Sequence, residues 1–122
     1  MSVIPQEAFQ KYALEYQTKI SETSRQLTTV NSQLQACRHE KRISELTSNE
    51  LTPLDDTVPT YRSVGRMFVQ EDISALKTEL DKKSAISAKE ISALERAAVT
   101  LESELKSSEG TLRDLIKKVT SQ

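Results

Sequence analysis

The side chains that could carry chemistry in this sequence are few: one thiol, Cys37, one imidazole, His39, and a short charged run, Arg38-His39-Glu40-Lys41-Arg42. A thiol beside an imidazole pairs a nucleophile with its base, and the pair needs hydrogen-bond reach. Two residues of spacing on a helix put Cys37 and His39 on different faces, so they do not form such a pair. With no CxxC and no second histidine there is no ligand set for a metal, and without a GxxxxGKS/T or GxGxxG loop no bound nucleotide is expected. No catalytic, cofactor-binding or metal-binding residue is assigned, and an enzyme is the least favoured reading. What remains is apolar surface, so the question becomes which elements present it.

Three prolines and two glycines punctuate 122 residues, and Pro53, Pro59 and Gly65 fall together in one short middle segment, Glu50 to Gln70. Proline removes a backbone donor and collides with the preceding turn, so helices must stop on either side. The flanking stretches, Gln6 to Ser48 and Glu71 to Thr120, are long and helix-favouring. The predicted elements are an N-terminal helix over 5–48, a loop over 49–59, a β-hairpin over 60–70 and a C-terminal helix over 71–120, in a single unit. The conformation of the polar loop, with Asp55-Asp56 and its two prolines, does not follow from the residues.

In the first stretch Phe9, Ala13, Tyr16, Ile20, Leu27, Val30, Leu34 and Cys37 alternate at steps of four and three, with Thr23 as a polar member, which is a heptad seam. After Cys37 the next apolar residues, Ile43 and Leu46, belong to another register, and the contact face is expected to shift there. In the second stretch Ile73, Leu76 and Leu80 are followed by a polar patch and then by Ile91, Leu94, Ala98, Leu101, Leu105, Leu112, Leu115 and Val119. Linking the two runs through Ser84 and Ser87 takes two consecutive steps of four, a stutter that relaxes the supercoil. Glu71 and Asp72 suit a helix start through its partial positive charge, Pro5 suits a first turn, and Gly110 weakens the last turns by about 1 kcal/mol. Each helix would measure roughly 65–75 Å at about 1.5 Å per residue.

The expected fold is mainly α, an antiparallel two-helix coiled coil with a single β-hairpin between the helices. A long parallel dimer would have to splay and recoil around Pro53 to Gly65. The composition suits thin layers of elongated shape, with no Trp, two Phe, three Tyr and 36% hydrophobic against 29% charged residues. Seventeen bases and eighteen acids leave a formal net charge of −1, which gives no footprint for nucleic acid or an anionic membrane. A lone cysteine and the absence of a signal-like N-terminus or an apolar span point to a soluble, intracellular protein.

Thr60-Tyr61-Arg62-Ser63-Val64 and Arg66-Met67-Phe68-Val69-Gln70 are β-rich runs on either side of Gly65. A two-stranded hairpin is marginal alone, with both edges unpaired, so partners must supply further strands. Val3, Ile4 and Phe9 at one terminus and Leu115, Ile116 and Val119 at the other converge if the helices are antiparallel, forming a small apolar tip. Phe9, Leu115 and Val119 also have the spacing simply to close the coiled coil. Val3, Ile4 and Ile116 lie off the seam and are the better candidates for contact with apolar segments of another protein.

Two helices around one hairpin, with Tyr61-Arg62-Ser63-Val64-Gly65-Arg66-Met67-Phe68-Val69 leading into an acidic helix start, resemble the β-type subunits of the prefoldin family over nearly the whole chain. The aromatic, the glycine and the Arg-Met-Phe that follows are the most specific part. The resemblance implies a heterohexamer in which two α-type and three further β-type subunits join this one. The hairpins would form an intersubunit β-barrel platform, with Tyr61, Val64, Met67, Phe68 and Val69 in it, and the coiled coils would hang from it as tentacles. It implies ATP-independent holding of unfolded actin and tubulin, delivery to the cytosolic chaperonin, and a cytoplasmic location with a nuclear one left open. The alternative is a structural coiled-coil subunit of a tethering or scaffolding complex, which shares the heptads but gives no reason for the hairpin.

Overall fold

Pro53 decides where the first helix ends. In the structure, a computed structural model that describes residues 5–120, α1 spans Gln6–Leu51 and stops two residues before that proline, three residues later than Ser48. The Pro5 carbonyl accepts the first helical bond, from the Phe9 amide at 2.9 Å, so Pro5 caps α1 from just outside it. At the other end the amide and the hydroxyl of Thr52 both donate to the Ser48 carbonyl, at 3.1 and 2.8 Å, satisfying an acceptor that the ending helix would leave open. The loop that the residues left undefined contains two successive turns. The Leu54 amide donates to the Leu51 carbonyl at 3.1 Å, and the Val58 amide donates to the Asp55 carbonyl at 3.0 Å, with aspartate at its favoured first turn position.

Strands β1, Thr60–Val64, and β2, Met67–Glu71, pair antiparallel with Val64 opposite Met67 and Thr60 opposite Glu71. Two residues, Gly65 and Arg66, close the turn. Gly65 has φ of 61° and no non-glycine residue among the described residues has positive φ, the pattern of a tight turn whose twist matches its strands. Glu71, expected to open the second helix, is instead the last residue of β2. The Thr60 hydroxyl donates to its backbone carbonyl at 2.5 Å, and Arg62 holds its carboxylate. Asp72 then takes the cap position, its carbonyl accepting from the Leu76 amide at 3.1 Å, and α2 runs Ile73–Thr120, unbroken through Gly110.

The chain divides into two compact units. In the one comprising residues 34–93, the Cys37 thiol donates to Glu90 at 3.4 Å and the Ser48 hydroxyl approaches Asp81 at 3.5 Å, so rising numbers on α1 meet falling numbers on α2 and the helices are antiparallel. Leu34 and Ile73 are its buried apolar residues, Ile73 retaining only 2% exposure where α2 leaves the hairpin.

Here the structure overturns one expectation. The α1 seam does not change face after Cys37. Inward positions continue in step at Lys41, Ser44, Ser48 and Leu51, with Ser44 buried and the other three half-buried, while Ile43 and Leu46 stay 50% and 46% exposed. The steps of four and three that bury Leu34 also carry Leu51 inward, and a shift to Ile43 would break that phase. Serine is small enough to let the backbones stay close, and the Lys41 stem lies along the seam with its ammonium 3.8 Å from Glu45. On α2 the expected stutter is present, since Leu76, Leu80 and Ser84 are all half-buried at two steps of four and Ser87 is buried.

The other unit contains the described residues up to 33 and from 94. Phe9, Ala13, Tyr16, Ile20, Leu27 and Val30 are half-buried around a buried Thr23 on α1, and on α2 Leu94, Leu101, Leu105, Leu112 and Leu115 are half-buried around a buried Ala98. Ser108, buried, fills the place where the apolar run of α2 skips.

Candidate functional site

Register sorts the hairpin side chains onto two faces, because alternate residues point oppositely and cross-strand partners point the same way. Arg62 and Val64 share one face with Met67, Val69 and Glu71, and Tyr61 and Ser63 share the other with Phe68 and Gln70. All five residues expected in an assembly platform are exposed: Tyr61, Val64, Met67, Phe68 and Val69, with Phe68 at 72%. They do not form one patch. Val64, Met67 and Val69 make one apolar face and Tyr61 with Phe68 the other, both exposed beyond the root of the hairpin, and among the described residues no further strand pairs with either edge.

At the root of the hairpin a charged cluster replaces apolar contact. The Arg62 Nε donates to Glu71 Oε2 at 2.6 Å, and its Nη1 donates to Glu79 Oε1 at 2.7 Å, while Nη2 meets the second Glu79 oxygen. This is the planar fork that suits a guanidinium on a carboxylate. The hydrogen bond from Arg62 holds the Glu71 carboxyl below its usual range, and the same bond pushes the Arg62 guanidinium further up. Sequence reading placed Arg62 only within a β-rich run and missed this role, although a long basic side chain two positions from a carboxylate across a hairpin was a usable signal. Beside the cluster lies a groove of about 320 Å³ floored by Leu51, Leu76 and Leu80 and rimmed by Tyr61 and Lys83.

The apolar tip is only partly visible. Val3 and Ile4 lie outside the described residues. Phe9 and Leu115 are half-buried on the seam, Val119, expected on the seam, is 36% exposed, and Ile116 is exposed off it. Tyr12, not anticipated as a site residue, is 50% exposed and lines with Tyr16, Leu115 and Lys118 a concavity of about 350 Å³ where the first turns of α1 meet the last turns of α2. Its signal was available, since aromatic residues four apart share a helix face.

Cys37 donates to Glu90 rather than to His39, and burial followed by that carboxylate raises its thiol above the ordinary value, the reverse of nucleophile activation. Among the described residues no cluster of three metal-ligating side chains occurs and no helix is long and apolar enough to cross a membrane.

Comparison with known proteins agrees with this architecture. Residues 15–119 match the family described as prefoldin subunit. The chain is 26% identical over 118 residues to a probable prefoldin subunit 1 of Dictyostelium discoideum, covering 97% of this chain and 99% of that protein. It is 33% identical over 110 residues to a probable prefoldin subunit 1 of Caenorhabditis elegans, covering 90% and 94%, and 28% identical over 102 residues to prefoldin subunit 1 of Homo sapiens, covering 84% of each. Among solved structures, the fold superposes on the prefoldin beta subunit from Thermococcus strain KS-1 with a TM-score of 0.77 at 23% identity, over 93% of this chain and 96% of that one. Two helices enclosing one exposed hairpin, and a family match across all four elements, establish that this chain belongs to the prefoldin subunit family.

Proposed function

We propose that this chain is a β-type subunit of a heterohexameric prefoldin, built with two α-type and three further β-type subunits, that holds non-native proteins without ATP and performs no chemical step. The observation that carries the reading is the hairpin: two strands with exposed apolar residues on both faces, and no further strand among the described residues to pair with them. Burying such a surface between subunits supplies the stability that the isolated element lacks, because each buried methylene contributes about 0.8 kcal/mol. Clients are non-native chains such as actin and tubulin, met at the apolar ends of the helices and passed to the cytosolic chaperonin in the cytoplasm. Several weak tips bound at once give avidity that no single tip provides.

Reconstitution of the hexamer, with and without residues 1–8 and 114–122 of this subunit, tests the reading by capture of denatured actin. Capture by the intact assembly and a loss on truncation, in a background where the other tips are weakened, support it. A tethering or scaffolding assembly would show no suppression of aggregation at all.

A further inference from the structure

We propose that Arg62 is a positioning residue that fixes the angle of the hairpin on α2, so that neighbouring subunits meet the strands in one pose. The inference rests on the platform reading above, and it assigns a role to a cluster that the reading does not need. Only Asp72 separates β2 from α2, and a single residue with two soft dihedrals is a hinge unless something spans it. Arg62 spans it. From β1 it reaches diagonally across the hairpin to Glu71 at the end of β2, and its fork continues to Glu79 in the second turn of α2. Glu79 is itself flanked by Lys83, 4.0 Å away. Ile73, 2% exposed, anchors the start of α2, but burial of that side chain does not by itself fix the two dihedrals of Asp72. The two legs of the cluster therefore do different things: Arg62–Glu71 ties strand to strand, which the ladder already does, whereas Arg62–Glu79 ties hairpin to helix.

That difference makes the test. In the full chain carrying Cys37→Ser, spin labels at Arg66→Cys and Lys82→Cys report the hairpin-to-helix distance by electron paramagnetic resonance. Assembly is read in parallel by native mass spectrometry as subunit concentration is lowered. Glu79→Ala and Arg62→Ala should broaden the distance distribution and raise the concentration needed for half-assembly by about tenfold, on the loss of a charge-assisted fork. Arg62→Lys, which reaches as a point charge without the fork, should fall between. Glu71→Ala should leave the distribution narrow. Equal broadening for Glu71→Ala and Glu79→Ala, or none for Arg62→Ala, overturns the proposal. Failure of the parent chain to enter any hexamer, with the distance results as expected, instead removes the platform reading and leaves the hinge clamp standing.

Discussion

Leu34 and Leu46 lie on the same helix and in the same compact unit, yet they should respond very differently to one substitution. Leu34 is 7% exposed and Leu46 is 46% exposed. Leu→Ala removes three carbons' worth of apolar surface at either site, and the change in helix propensity is nearly the same, so burial alone sets the difference. At Leu34 the transfer loss of about 0.8 kcal/mol per carbon comes to about 2.4 kcal/mol, and the space left adds to it, giving about 2–4 kcal/mol in a two-helix layer that can partly close. At Leu46 about half of the side chain is already in water and no enclosed space forms, so the loss is about 1 kcal/mol or less. Urea unfolding of the 122-residue chain before assembly, followed by circular dichroism at about 222 nm, measures both. Equal losses would mean that α1 turns its contact face after Cys37 after all, and the continued serine seam would be wrong.

Other perturbations probe the hairpin and the thiol. Gly65→Ala meets no steric obstacle but forces an L-residue to positive φ, so it should cost about 1–2 kcal/mol and slow assembly, as read by hydrogen exchange of the strand amides. Phe68→Asp should leave the unfolding free energy of the lone chain within about 0.5 kcal/mol, because the ring is exposed there, yet block hexamer formation in native mass spectra. Since the folded-state carboxyl of Glu71 lies below the ordinary value of 4.5, its contribution is complete above that pH and lost as pH falls through the folded value. Glu71→Gln should therefore flatten the acid side of the stability profile. Cys37 should alkylate slowly near neutral pH, and Glu90→Gln should speed the reaction by removing the carboxylate that raises its pKa.

The residues disclosed the element order because punctuation and period agree. Pro53, Gly65 and the alternating steps from Phe9 to Cys37 each constrain the backbone directly. They disclosed less where polarity and position part company. Ser44, Ser87 and Ser108 are buried because the helical phase puts them there, while Ile43 and Leu46 are more apolar and remain outside. Following the spacing past Cys37, rather than the next greasy residue, would have found Lys41, Ser44 and Ser48. The turns between Leu51 and Val58 depend on backbone hydrogen bonds that no side-chain pattern announces. The five residues expected in a platform are exposed, while their division over two faces follows from the Val64 to Met67 register, and the Arg62 fork from a carboxylate seventeen residues away.

The two-residue turn at Gly65 has an evolutionary corollary. Inserting or deleting one residue inside β1 would exchange its rows wholesale, sending Arg62 toward the Tyr61 side and stranding Glu79. Changes of length should thus be purged from these five positions even where changes of residue type are accepted. The turns from Thr52 to Pro59 have no such alternation to protect and can lengthen cheaply, so homologues should differ in size at that corner first.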